Sequence, residues 1–381
     1  MSRKKILQIC VALGLLISGV TLQSFSARQP QQMTVPGWLP NQATEAKYVG
    51  TQVCAECHSA KAKTQPHTHM GKALTFAENN EVFRINKNLT FRNGKYSYQI
   101  AREGNQINYS VSDGTNTVSV PVRYCFGNGE AGQTYVLQYK NRFYESRLSF
   151  YNDIRGLDFT MGHLPTPPAT LDEAVGREMS SEETRNCFGC HTTGAVNGAK
   201  FQLDNFIEGV ACESCHGPGE KHVAAVSSGA EGQKLIFNPD RLDTEGMSNF
   251  CGACHRSWEQ VVLMGLRGVL NVRFQPYRLT NSKCYDTEDK RISCTACHDP
   301  HEGRKHDIAY YDARCTACHN PKNKSVKAGF AQETKRLAVA CPVGKNKCSS
   351  CHMPKIELPG SHFKFTDHQI RVVKEGEPYP N

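Results

Sequence analysis

Cysteine and histidine carry the chemistry of this chain. The pattern Cys-x-x-Cys-His occurs seven times. The motifs are Cys54, Cys57 and His58; Cys187, Cys190 and His191; Cys212, Cys215 and His216; Cys251, Cys254 and His255; Cys294, Cys297 and His298; Cys315, Cys318 and His319; and Cys348, Cys351 and His352. Two thiols three residues apart share one face of a helical turn. They can add to the two vinyl groups of one porphyrin, while the adjoining histidine reaches the iron from one face. The implied cofactors are seven covalently bound haem c groups, one per motif.

Other chemistries fit less well. Zinc sites would pair Cys-x-x-Cys units at short, regular distances, without a histidine after every second cysteine. A disulfide framework has no use for that histidine either. The motifs take fourteen of eighteen cysteines and leave Cys10, Cys125, Cys284 and Cys341. Cys10 falls in an N-terminal apolar run. Cys125 has no obvious partner nearby. Cys284 and Cys341 flank the fifth and sixth motifs and are read as a disulfide of an oxidising compartment, with two buried free thiols as the alternative.

Fifteen histidines include seven in the motifs. The other eight are His67, His69, His163, His222, His301, His306, His362 and His368. That is one more than a second imidazole on every iron requires. An iron with two strong ligands only exchanges electrons, whereas an open iron can bind a small molecule. His222, six residues after His216, and His301, in Cys297-His-Asp-Pro-His301, lead the candidates because proline turns hold them close to a motif. His163 and His368 follow, then His362, and His306 is the expected non-ligand. At the first haem the choice among His67, His69 and Met70 stays open, with His69 carried as the site residue.

The elements that must position these groups change in texture along the chain. Residues 1–26 read as an export signal, with Arg3-Lys4-Lys5, an apolar run from Ile6 to Leu22 and small residues before a cleavage point after Ser26. An uncleaved anchor is the alternative, although the run is short for a membrane span. Residues 27–80 are a polar tether and the first motif. Residues 81–157 alternate β-branched and aromatic positions between turns: Lys95–Ile100, Gln106–Val111, Thr117–Val122, Gln133–Tyr139 and Arg142–Leu148. Residues 158–381 carry six motifs at first-cysteine spacings of 25, 39, 43, 21 and 33, too uneven for a solenoid. Strands are expected to disappear there, with a helix over Trp258–Leu266. The fold expected is a multihaem cytochrome: a mostly irregular chain with short α-helices around stacked haems, plus an inserted antiparallel β module of about five strands.

The formal charge is +9, and removing the signal leaves +6. Haem propionates would answer that excess, and no basic helix or aromatic-basic stripe argues for nucleic acid.

The opening Tyr48-Val-Gly and Cys54-Ala-Glu-Cys-His58, and above all Glu208-Gly-Val-Ala-Cys-Glu-Ser-Cys-His-Gly-Pro-Gly-Glu-Lys-His222, resemble the multihaem cytochrome c superfamily. The nearest types are cytochrome c-554 and the relatives of hydroxylamine oxidoreductase. Cys294-Thr-Ala-Cys-His-Asp-Pro-His301 resembles its doubled haem-motif module, and Cys351-His-Met-Pro354 with Phe365-Thr-Asp-His368 its closing segment. The resemblance implies His222 as a distal ligand and haems packed in close pairs. It often places histidine where Met70 stands. The expected function is electron transfer by a periplasmic or secreted protein, between other redox proteins or a membrane quinol-oxidising complex, with at most peripheral membrane association. A reductase or oxidase of a small nitrogen or sulfur compound at one open haem is the alternative, and a scaffold role through the β module is the third reading. No Cys-x-x-Cys-Lys variant is present.

Overall fold

Period-two alternation of large apolar residues builds the dominant element. Tyr96, Tyr98 and Ile100 alternate with polar neighbours, as do Ile107, Tyr109 and Val111, and all six are buried. Side chains two apart share a sheet face, so these rows form one wall. In the computed structural model, which describes residues 38–319, 341, 343–344 and 346–380, the strands are β1 (Leu74–Phe76), β2 (Asn88–Asn93), β3 (Tyr96–Glu103), β4 (Gln106–Ser112), β5 (Thr117–Phe126), β6 (Gln133–Tyr139), β7 (Arg142–Tyr151), β8 (Gly156–Phe159) and β9 (Gly176–Glu178). They form one antiparallel nine-stranded sheet in the order β2 to β8, with β1 paired to β5 and β9 to β7.

The long strands β5 and β7 curl the sheet. The first half of β5 pairs with β4 and its second half with β6, with a register shift between Val122 and Tyr124. A second shift separates β6 from β7 between Thr134 and Val136. Such bulges bend a strand and raise its twist, and β2 comes round to approach β8. The enclosed core holds Tyr96, Tyr98, Ile100, Tyr109, Val120, Tyr135, Leu137, Leu148 and Phe150. Lys140 and Asn141, at φ 49° and 60°, join β6 to β7 with the positive-φ pair of a type I′ hairpin turn.

This sheet corrects the expected fold class. The five segments read as strands are β3 to β7, but the sheet has nine strands and reaches outside them in both directions. It is the largest ordered element and not an insert in an irregular chain. β1, β8 and β9 have only three, four and three residues. Runs that short show little alternation of their own and take their conformation from long partners. Strands also continue past residue 158, in β9 and in three short two-stranded ladders.

Seven helices, one per motif, are labelled α1 (Thr51–Ala55), α2 (Ser181–His191), α3 (Cys212–His216), α4 (Thr244–His255), α5 (Cys294–Cys297), α6 (Ile308–His319) and α7 (Cys348–His352). The helix expected over Trp258–Leu266 spans Trp258–Leu263. Among the described residues no helix is long and apolar enough to cross a membrane. The export signal over 1–26, the first part of the tether and residues 320–340 lie outside the described residues.

Candidate haem-attachment sites

Each motif closes a helical turn. Where the helix stops short of the histidine, the turn continues: His58 N donates to Cys54 O at 2.8 Å, and His298 N donates to Cys294 O at 3.0 Å. Both thiols of a motif therefore face one way. None of the fourteen motif cysteines is in a disulfide.

The sheet seats the second motif. Phe188, between the two thiols of α2, is wholly buried. It meets Tyr124 and Phe126 of β5 edge-on at 5.0 and 5.1 Å, and Phe126 in turn touches His191 at 5.2 Å. A capping box of Ser180 and Glu183 starts the helix.

Glu213, between the thiols of α3, binds the first motif to the third. Its Oε1 accepts from Val49 N at 2.8 Å and Gly219 N at 2.7 Å, and its Oε2 accepts from Gly50 N at 2.8 Å. These donors precede α1 and the helix over Glu220–Ser227. Trp38 donates its indole N–H to Ser214 O at 2.8 Å and packs with Met247 and Phe250 of α4. Gly217 stands at φ 76° with the Trp38 ring 3.1 Å from where a Cβ would lie, so both the backbone and the space require glycine. Asp312 of α6 accepts from Lys347 N at 2.6 Å and Cys348 N at 2.8 Å, capping α7. None of Glu213, Trp38 and Asp312 was singled out from the sequence. Glu213 sits inside the most distinctive motif block, but two of its three partners are the backbone amides of Val49 and Gly50, 164 and 163 residues away, and these leave no sequence signal.

Neighbouring motifs adjoin one another. Helix α1 packs against α3, α4 against α5, α5 against α6 and α6 against α7. Cys215, Cys251 and Cys294 pack on one apolar cluster, which joins the third, fourth and fifth motifs. Cys190 Sγ lies 4.0 Å from Ala253 O, inside the fourth motif. The resulting line runs from the first motif through the third, fourth, fifth and sixth to the seventh, with the second joined at the fourth.

The imidazoles fall into two groups. His191, His216 and His352 donate Nδ1–H to the carbonyls of Ala73, Phe237 and Arg371 at 2.9, 2.9 and 2.8 Å. His222 and His368 donate likewise to Gly232 O at 3.0 Å and Thr366 O at 2.9 Å. His301 Nδ1 faces Asp299 Oδ1 at 3.1 Å. A carbonyl or carboxylate oxygen accepts, so the proton sits on Nδ1 and the Nε2 lone pair stays free, which is the tautomer that ligates a metal through Nε2. The other group turns Nε2 to a carboxylate: His69 to Glu130 at 3.1 Å, His163 to Glu145 at 3.3 Å and His362 to Asp158 at 2.6 Å. His67 and His306 are exposed.

Burial pushes His191, His216, His255, His298 and His319 below the ordinary histidine range. It pushes His368 down to about 4, helped by nearby His298. These rings are neutral at neutral pH, as ligands must be. At the second and third motifs the paired thiols stand beside a neutral, Nδ1-tethered imidazole, His191 and His216, an arrangement that fits a covalently attached haem.

The expected disulfide between Cys284 and Cys341 is not formed. Both are free. Cys284 is half-buried near the thiols of Cys297 and Cys318, while Cys341 is exposed. Cys125 is a fully buried thiol in the sheet core beside Tyr135 and acts as a small apolar residue.

The paired thiols and the histidine after them are the groups that covalent attachment of a haem requires. Residues 165–217, which include the second and third motifs, match the family model described as cytochrome c554 and c-prime. This similarity supports a c-type cytochrome with covalently bound haem. No curated protein and no solved structure matches the chain.

Proposed function

We propose that the chain is an extracytoplasmic heptahaem c-type cytochrome that passes electrons between redox partners through closely packed haems, most of them with two histidine ligands. The observation that carries this reading is the continuous line of adjoining motif helices, each packed against the next or sharing its apolar cluster. Each bound haem supplies an iron that cycles between ferric and ferrous states. The chain's own cysteines would hold the porphyrins, burial keeps His191, His216, His255, His298, His319 and His368 neutral, and the Nδ1 hydrogen bonds of His191, His216, His222, His301, His352 and His368 leave Nε2 to face an iron. The partners are other redox proteins or a membrane quinol-oxidising complex, met after export through the signal over residues 1–26. The test is a haem count per chain with an electron paramagnetic resonance spectrum of the oxidised holoprotein, followed by mixing the reduced protein with acceptors. Seven attached haems, mostly low-spin, and fast reoxidation are expected. Fewer attached haems, or no electron transfer to any acceptor, would overturn the proposal.

One observation favours a second reading, a reductase or oxidase at an open iron. His69, His163 and His362 commit Nε2 to carboxylates, which shortens the supply of second ligands. A high-spin haem that binds cyanide or nitric oxide would favour this reading, with nitrite and hydroxylamine the first substrates to try.

A further inference from the structure

We infer that His301 is the second axial ligand of the third motif's iron, opposite His216, and that His368 is the second axial ligand of the fifth motif's iron, opposite His298. The inference rests on the haem reading above and adds to it which distant segment completes which iron.

The rings of His216 and His301 have centroids 6.0 Å apart and planes within 14° of parallel. Those of His298 and His368 are 6.2 Å apart at 41°. Two imidazoles on opposite faces of one metal, each bonded at about 2 Å, have ring centres roughly 6 Å apart once the half-widths of both rings are added. Ordinary aromatic pairs can also have this spacing. What distinguishes these pairs is the tethering. His216, His301 and His368 each turn Nδ1 to an oxygen, so the unspent lone pair is on Nε2. Among the described residues these are the two ring contacts that join a motif histidine to a histidine outside the motifs.

Both outer histidines are held by built supports. Asp299 accepts from His301 N at 2.9 Å and from Lys61 Nζ, beyond the first motif, at 3.2 Å. Asp367, next to His368, is wholly buried and accepts a bidentate pair of hydrogen bonds from Arg278 at 2.8 and 3.0 Å. Such a pair fixes geometry as well as charge. Proximity in the chain is a poor guide here: His222 follows His216 by six residues, yet the ring against His216 is His301. His58 also lies near His216, and His255 near His368; each belongs to its own motif, and the test separates these neighbours.

The test uses purified holoprotein. His301→Ala and His368→Ala should each convert one haem per chain from low to high spin, with the haem count unchanged. Combined variants read the pairing. His216→Ala with His301→Ala should perturb no more haems than His216→Ala alone, because both ligands serve one iron. His298→Ala with His368→Ala should behave in the same way. An additional high-spin haem in a combined variant would overturn that pair. A motif-histidine variant that fails to fold or to take up haem is replaced by an experimental structure of the unsubstituted holoprotein. There, any ligand other than His301 or His368 opposite the respective motif histidine overturns the inference. Absence of haem from the Cys212–Cys215 and Cys294–Cys297 peptides by mass spectrometry would instead overturn the haem reading itself.

Discussion

Glu213 ties two candidate attachment motifs to one carboxylate. It is buried and accepts from three backbone amides, Val49, Gly50 and Gly219. Its isostere would turn an amide N–H₂ toward one of these donors and leave that donor unsatisfied. An unsatisfied buried donor costs about 1–3 kcal/mol. Glu213→Gln should therefore lower holoprotein stability by roughly that amount, and Glu213→Ala by more. Denaturant unfolding followed at the Soret band measures the difference, and an unchanged midpoint in both variants would show that the carboxylate holds nothing. Arg278 and Asp367 make the same point for a charge pair. Both side chains are essentially fully buried, and Tyr379 covers the guanidinium at 4.5 Å. Removing one partner of a buried pair typically costs about 3–5 kcal/mol, so Asp367→Asn should destabilise strongly and displace His368. The candidate attachment residues stand out in the sequence because covalent chemistry demands fixed residue types at fixed spacing. The carboxylates were not, because a backbone N–H looks the same at every position.

Helices short enough to hold one motif cannot stand alone, since isolated helices below about a dozen residues are marginal in water. They must be capped or pinned from outside, and two pins can be tested. Asp312 caps α7 from α6. Losing a cap costs about 0.5–2 kcal/mol, so Asp312→Ala should loosen the seventh motif, as seen in faster amide exchange over residues 347–352. The effect has a pH signature. Burial opposes ionisation of Asp312, but the amides of Cys348 and Lys347 more than offset it and hold its carboxyl below the ordinary range. A depressed folded pKa gives stability that is present above the unfolded value, near 4, and lost as pH falls through the folded pKa. The parent and Asp312→Ala should therefore differ at pH 6 and converge in acid; a gap that stays constant with pH would exclude ionisation as the cause. The second pin is Phe188. Truncating a buried phenylalanine costs about 3–5 kcal/mol, so Phe188→Ala should release α2 from β5 and weaken the second site before the others. Alternation made β3 to β7 legible, because the wall of Tyr96, Tyr98 and Ile100 repeats every second residue. The contact of Phe188 with that sheet was hidden, because a residue between two haem cysteines reads only as motif filler.

At the scale of the whole molecule, the sheet and the attachment helices are one construction. β1 comes from just beyond the first motif and pairs with β5, and β9 comes from just before the second and pairs with β7. Leu74 of β1, Tyr124 and Phe126 of β5, Met179 and Phe188 form a second apolar cluster on the sheet, against which Cys187 packs. The sheet therefore closes the chain between the first two motifs and gives the second its seat, a role no local pattern announces because its short outer strands lie outside the alternating region. A module hung on the cytochrome for docking would be removable; this sheet should not be. Replacing residues 88–159 with a short flexible linker would strip β1 and β9 of their partners and expose the Leu74, Met179 and Phe188 cluster. The shortened chain should yield little folded holoprotein, with haem missing from the Cys187–Cys190 peptide first and rapid cleavage by protease around residues 74–80 and 176–190. A shortened chain that kept all its haems and resisted protease as the parent does would show that the sheet is a separable domain, and would return it to the role of a docking face.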